Sequence, residues 1–174
     1  MITVRMAEKT DIADITEIYN EGIADRTATL EADQKTQEDR LAWFESHDPR
    51  HPIIVAEENG SIVGYASLNV FNSRCAYDGV VDFSIYIRRS FRGKGGGSVL
   101  LTALIKKASE LGYHKLVLSA LSYNEHGKAL YKKFGFREIG IYKEQGILDD
   151  KWIDILVMEK ILDSTLPKKN CCGC

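Results

Sequence analysis

No apolar run in this chain is long enough to span a bilayer, and Met1-Ile2-Thr3-Val4-Arg5 lacks the pattern of a signal peptide. The expected location is therefore cytoplasmic, with no membrane partner. Neither sign of charge dominates. There are 23 Lys and Arg against 25 Asp and Glu, a formal net charge of −2, and the two signs are interspersed rather than striped. That argues against nucleic acid as a partner. The four histidines, His47, His51, His114 and His126, show no metal-ligand spacing. His47 and His51 are four apart, but Pro49 and Pro52 keep them off a shared helix face, and no metal is expected. Cysteine is nearly confined to the end, where Cys171, Cys172 and Cys174 follow Pro167-Lys168-Lys169-Asn170. A Cys-x-Cys end behind a basic pair is compatible with a prenylated or metal-binding tail, yet residues 163–174 read as a disordered one. Cys75 is the only thiol outside it. No internal repeat and no second domain is visible.

What is present suits one globular domain over residues 1–162. The chain has 174 residues, 44% of them hydrophobic and 28% charged, enough for a sizeable core. Its most informative segment is Arg92-Gly93-Lys94-Gly95-Gly96-Gly97-Ser98. This run follows an extended apolar segment, Val80 to Ile87, and opens a helix-patterned one, Val99 to Leu111. A glycine-rich turn between a strand and a helix leaves backbone N–H groups free at the positive end of the helix dipole, a seat for phosphate oxygens. Arg92 and Lys94 add charge. A nucleotide-triphosphate loop would end in Gly-Lys-Ser or Gly-Lys-Thr, whereas Ser98 follows Gly97. A dinucleotide fingerprint would place a glycine where Ser98 stands.

The remaining pattern alternates strands and helices. Ile2 to Met6 reads as a short strand. Thr10 is expected to cap a helix with Asp11 and Asp14 in its first turn and Ile12, Ile15, Ile18 and Tyr19 on its apolar face. Thr36 with Asp39 forms a capping-box pattern for a second helix carrying Leu41, Trp43 and Phe44. Ile53 to Glu57 and Ile62 to Val70 flank a hairpin signal, Glu58-Asn59-Gly60-Ser61. Leu116 to Ala120 is a strand, Asn124 to Phe134 a short helix closed by Gly135, and Phe136 to Tyr142 with Trp152 to Met158 a final antiparallel pair. Hairpins followed by alternating strands and helices imply an α/β chain of mixed α+β character, a mixed sheet with helices on both faces. Within Val80 to Ile87, period-two alternation puts Asp82, Ser84 and Tyr86 on one face. An acid in an apolar strand is costly unless it is paired or functional, so Asp82 is either a salt-bridged acid or a working one.

The spacing Arg-x-x-Gly-x-Gly at Arg92, Gly95 and Gly97 resembles the acyl-coenzyme A pyrophosphate loop of the GNAT superfamily of N-acetyltransferases. Gly96 stands where that loop usually has a branched apolar residue, which predicts extra flexibility. The order of elements matches that superfamily's mixed, mostly antiparallel sheet. The nearest likeness is to phosphinothricin acetyltransferases and related amino-acid N-acyltransferases. It is carried by Ile18-Tyr19-Asn20, Thr27-Ala28-Thr29-Leu30-Glu31, Val55-Ala56-Glu57, Arg74-x-Ala76-Tyr77, Leu130-Tyr131-x-x-Phe134-Gly135-Phe136 and Trp152-x-Asp154, over about residues 2 to 162.

The resemblance implies acetyl-coenzyme A as cofactor, a small-molecule amine as acceptor, direct transfer, and a homodimer. Amide formation requires that an ammonium acceptor lose a proton, which a carboxylate can take directly or through water. Asp82 is the candidate base. Relatives usually place Glu there, one methylene longer. Tyr131 matches the tyrosine that protonates the departing thiolate in many GNAT enzymes, although the phosphinothricin enzymes can carry His at this position. Asn124 matches the asparagine that bonds the pantetheine arm, and is also an ordinary helix N-cap. Phe83, Ser84, Ile85, Tyr86 and Ile87 would line the arm, with the backbone of Ile85 and Ile87 pairing to it as an added strand does. Residues Arg92 to Ser98 would hold the pyrophosphate. Arg74 is either a clamp for an acceptor carboxylate or a solvated loop residue. Tyr77 and Glu31 are the other expected acceptor contacts, and Trp152 and Asp154 serve packing, dimerisation or binding. Two other readings remain open: a non-catalytic acyl-coenzyme A binding module, and an acetyltransferase for protein amines or polyamines.

Overall fold

The computed structural model describes residues 1–162; the Cys-containing tail lies outside the described residues. Seven strands form one sheet in the order β1-β2-β3-β4-β5-β7-β6. They are β1 Thr3–Met6, β2 Ile53–Glu58, β3 Ser61–Val70, β4 Val80–Ile87, β5 Lys115–Leu121, β6 Arg137–Leu148 and β7 Lys151–Ile161. Only β4 and β5 run parallel. Four α-helices, α1 Ile12–Ala24, α2 Gln37–Glu45, α3 Gly96–Glu110 and α4 Glu125–Lys133, complete the described fold.

Strand alternation divides the core in two. On one face Ile53, Val55 and Tyr65 pack with Ile15, Ile18 and Ile23 of α1 and with Trp43 and Phe44 of α2. On the other, Ile54, Ala56, Leu68 and Val81 pack with Leu100, Leu101 and Leu104 of α3. The expected mixed sheet with helices on both faces is the architecture found.

Most elements lie where local chemistry put them. Asn59 and Gly60 both have positive φ, 51° and 77°, so the β2–β3 hairpin closes in two residues. Thr36 and Asp39 form the expected capping box. Three expectations needed correction. Thr10 does not cap α1. It falls in a short 3-10 turn, Lys9–Asp11, and α1 follows Asp11, whose carboxylate instead takes both Arg5 guanidinium nitrogens at 2.7 and 2.8 Å. The helix expected from Val99 begins at Gly96, three residues earlier. Close packing explains why glycine is retained there: a Cβ on Gly97 would lie 3.1 Å from Leu130. The last two strands are also longer than expected and contain register shifts near Glu138 and Tyr142. Asp154 grips that irregular stretch, accepting from Lys143 Nζ at 2.7 Å and from the Glu144 N–H at 2.9 Å.

Leu104 is fully buried at the centre of the α3 packing. We expect Leu104→Ala to cost about 3 kcal/mol in urea unfolding. A loss below about 1 kcal/mol would mean that α3 is not the principal packing partner of the sheet.

Candidate active site

The site begins where two strands part. β4 pairs with β3 from Val81 to Ile87, but with β5 only from Val80 to Asp82, opposite Lys115 to Val117. Beyond Val117, β5 continues along β7. From Phe83 onward one edge of β4 is therefore open. The Arg88 N–H donates to the Val63 carbonyl on β3 at 2.9 Å. Alternation then turns the N–H groups of Ile85 and Ile87 to the open side. The gap is a cavity of about 410 Å³ between Phe83–Tyr86 and Leu118–Leu121, with Asn124 and Tyr131 from α4 at its wall. Asn124 is the N-cap of α4, its Oδ1 accepting from the Gly127 N–H at 2.9 Å.

The glycine loop leads from the end of β4 into α3. Gly93 and Gly95 have φ of +75° and +89°, where side chains are strained, and the space above both is open. The first-turn amides of Gly96, Gly97 and Ser98 have no acceptor one turn back. The first turns of α1, α2 and α4 contain Asp or Glu, but that of α3 contains none. This free positive end suits an anion. Arg92 is already engaged: its guanidinium pairs with Asp25 and donates to the Ile87 carbonyl. Lys94 remains beside the loop, over the Phe91 ring. Arg88 joins Asp14 and Glu17 at 2.6 and 2.7 Å, and Arg89 joins Asp25 at 2.5 Å. One acidic face of α1 thus ties down the whole β4–α3 connection. Arg89, and then Arg92, hold the Asp25 carboxyl below its usual range.

Two titratable groups near the channel are both shifted upward by burial. Burial raises the half-buried Asp82 carboxyl from 3.8 to about 6, partly offset by a hydrogen bond from Asn69. Tyr131 is buried against Phe83 and Phe136. Its hydroxyl is pushed well above the ordinary range by that burial and then by the charge of Asp82. Near neutral pH Asp82 is thus an acceptor of protons and Tyr131 a holder of one.

Asp82 itself lines neither this channel nor the adjoining cavity. Asn69 supplies the connection, with Nδ2 donating to Asp82 Oδ1 at 3.4 Å and to Ser84 Oγ at 3.2 Å. Ser84 faces both cavities. Asn69 went unrecognised in the sequence. Its signal was available in the hairpin register, because it stands directly opposite Asp82 on β3.

The adjoining cavity, about 380 Å³, lies between α1, α2 and strands β3 and β4 and shares Ser84 and Tyr86 with the channel. Glu31 lies here, paired with Lys35 at 2.8 Å. Arg40, Tyr65 and Ser67 line it too and were not foreseen. Arg74 and Tyr77 line neither cavity. They are exposed on the β3–β4 loop, where Tyr77 packs on Phe71 with ring centroids 5.6 Å apart. The structure thus gathers Phe83, Ser84, Ile85, Tyr86, Asn124 and Tyr131 around the channel and puts Glu31 in the second cavity. It leaves the Arg74 pair outside both.

Residues 14–136 match the Acetyltransferase (GNAT) family, and the chain belongs to it. The chain is 35% identical over 164 residues to L-methionine sulfoximine/L-methionine sulfone acetyltransferase of Salmonella typhimurium, spanning 93% of this chain and 95% of that protein. It matches L-amino acid N-acyltransferase MnaT of Escherichia coli at the same identity and coverage. A phosphinothricin acetyltransferase from Sinorhizobium meliloti, solved in complex with AcCoA, superposes with a TM-score of 0.90 at 30% identity, over 97% of this chain and 94% of that one.

If Asp82 is the proton acceptor, kcat/KM should fall about tenfold per pH unit below about 6, where the carboxylate is lost. Asn69→Leu removes the donor that favours the ionised form, so this limb should move to higher pH. Because the folded-state value lies above 3.8, ionisation of Asp82 opposes folding as pH rises from about 4 to 6, and fully above that. Asp82→Asn should therefore gain stability relative to the unmodified protein across that interval while losing turnover. An unchanged pH–rate limb in Asn69→Leu would remove Asp82 from the proton path.

Proposed function

We propose that this chain transfers the acetyl group of acetyl-coenzyme A to the α-amine of an amino acid or amino-acid analogue, by direct attack. The observation that carries this reading is the shared wall of the two cavities. Ser84 and Tyr86 face both the channel along the open edge of β4 and the pocket between α1 and α2. A thioester entering from one side and an amine entering from the other would meet at these two residues, next to Asp82 and Tyr131. The activities for which the relatives are named, on methionine sulfone, methionine sulfoximine and amino acids, support the acceptor class.

When bound, acetyl-coenzyme A supplies an activated acyl thioester. The first-turn amides of α3 and Lys94 would hold its phosphates. Its amide-bearing arm fits the open edge of β4, where Ile85 and Ile87 present unpaired N–H groups. Asp82 takes the acceptor's proton through Ser84 or a water, because Asn69 aligns the two and Asp82 does not reach the cavity itself. Tyr131 keeps its proton at neutral pH and would be the group that donates it to a leaving thiolate. Arg74 and Tyr77, on the exposed loop, line neither cavity and would reach an acceptor only by movement of that loop. The protein acts in the cytoplasm, where the donor is available, without a nucleic-acid or membrane partner.

The long β6–β7 hairpin exposes Ile139, Ile141, Tyr142, Ile147 and Trp152, each between 48% and 62% accessible. Such an exposed apolar patch, most of it on the edge strand β6 with Trp152 on β7, suits a homodimer interface. Ile141→Glu with Trp152→Glu should leave a folded monomer in sedimentation. An unmodified protein that sediments as a monomer would refute the dimer.

Thiol release from acetyl-coenzyme A, screened across amino acids, methionine sulfone and phosphinothricin, tests the activity. We expect release with free α-amino acids and little with simple alkylamines or peptide lysines. Gly95→Asp should abolish the rise in Tm that coenzyme A produces, since it adds strain and negative charge among the N–H donors. Release driven equally by alkylamines or peptides would transfer the reading to polyamine or protein acceptors. No release with any amine, together with an intact thermal shift, would favour a binding module.

A further inference from the structure

Three charged side chains are classed as buried among the described residues: Asp11, Glu159 and Arg40. Two have partners. Asp11 takes Arg5 in a two-point pair, and Glu159 takes Lys115 and Arg137. Arg40 is 7% exposed and has no acidic partner. Its guanidinium lies over the rings of Trp43 and Tyr19, at 3.7 and 4.3 Å from their centroids. One nitrogen, Nη2, donates to the Tyr65 hydroxyl at 3.2 Å. Arg40 Nε is the one buried side-chain nitrogen or oxygen of the described residues without a hydrogen-bond partner.

A guanidinium keeps its charge at any physiological pH and is expensive to bury without a counter-ion. Stacking on aromatic rings recovers part of that cost and covers its flat surface, leaving its edges as the only hydrogen-bonding positions. The other charged groups lining the same cavity are already committed. Glu31 is paired with Lys35, and the Asp39 carboxylate accepts the Thr36 N–H at 2.9 Å in the capping box of α2. Neither neutralises Arg40. The remaining polar lining consists of hydroxyl groups from Tyr19, Tyr65, Ser67, Ser84 and Tyr86, and the cavity shares Ser84 and Tyr86 with the acyl channel.

We infer that Arg40 is the anchor for an oxygen-bearing group of the acceptor, holding it at the α2 end of the cavity so that the amine points toward Ser84. This rests on the amino-acid reading above and names the group that would recognise such a substrate. The oxygens held have two possible sources, the anionic α-carboxylate or a tetrahedral side-chain group, either an anionic phosphinate or a neutral sulfone. Both offer oxygens that match the edge of a guanidinium.

The test measures thiol release by the unmodified protein and by Arg40→Gln, with methionine sulfone, its decarboxylated amine and leucine. Loss of a charge-assisted hydrogen bond predicts that Arg40→Gln raises the acceptor KM by roughly 10- to 100-fold, leaving the acetyl-coenzyme A KM unchanged. If the α-carboxylate is the group held, leucine suffers this penalty and the decarboxylated amine, already poor, does not. If the side-chain oxygens are held, the decarboxylated amine suffers it and leucine, already poor, does not. An unchanged acceptor KM in a folded Arg40→Gln protein overturns the inference while leaving the amino-acid reading intact. Absence of release by the unmodified protein overturns that reading itself.

Should Arg40→Gln fail to fold, Trp152→Phe leaves Trp43 as the sole tryptophan. With coenzyme A bound, methionine sulfone should then change Trp43 emission in a saturable way, because it binds beside the stacked guanidinium. No change at concentrations that saturate turnover would place the acceptor elsewhere.

Discussion

Strands β4 and β5 share register over only three residues, Val80 to Asp82, and then separate. An aromatic cluster packs beside the point where they part. Phe83, Tyr131 and Phe136 form a mutual edge-and-tilt cluster with centroids 5.5 to 6.0 Å apart, and this cluster wedges α4 against the fork. β5 meanwhile satisfies its other edge on β7. An unpaired strand edge inside a domain is ordinarily a liability, since each orphaned N–H and carbonyl wants a partner. Here it faces a channel in which a ligand with amide groups can supply one. Asp82 is the last residue before the fork, which explains how a carboxylate in the middle of a sheet comes to be half-buried, perturbed, and linked to the cavities only through Asn69 and Ser84.

Electrostatics fixes the second boundary of the channel. Asp14, Glu17, Glu21 and Asp25 follow one another at helical spacing along α1 and take Arg88, Arg89 and Arg92 between them. Individually such exposed pairs contribute little. As a network they hold the β4–α3 connection to a rigid helix, so a loop with three consecutive glycines keeps its amides aimed outward. Arg92 serves that bracing in this structure, and the loop's attraction for phosphate comes chiefly from the bare N-terminus of α3 and from Lys94.

The parts of this design that depend on neighbouring residues were legible in the sequence. The glycine loop, the Asn59-Gly60 hairpin, the Thr36–Asp39 capping box and the alternation that put Asp82, Ser84 and Tyr86 on one face each involve contacts within a few positions. The parts that depend on distant segments were not. Arg40 reads as a surface helix residue until Tyr19 and Tyr65, from α1 and β3, close around it. Asn69 gains its meaning only from its strand partner. Arg74 shows the reverse case: its motif is local and conspicuous, but the residue lines neither cavity. The tail of β6 was missed because its stabiliser, Asp154, lies on the opposite strand and the stretch between Lys143 and Gly146 has no alternation to read.

The central claim is that the open edge of β4 and the first turn of α3 together form one seat for coenzyme A. Residue-resolved amide hydrogen exchange, with and without coenzyme A, tests it most directly. Protection should rise at Ile85 and Ile87 and at Gly96, Gly97 and Ser98, and stay unchanged at Val81, which already lies in the paired stretch between β3 and β5. Protection that rises at α3 alone, or nowhere along β4 beyond Asp82, would contradict the account, because the fork would then have no part in binding.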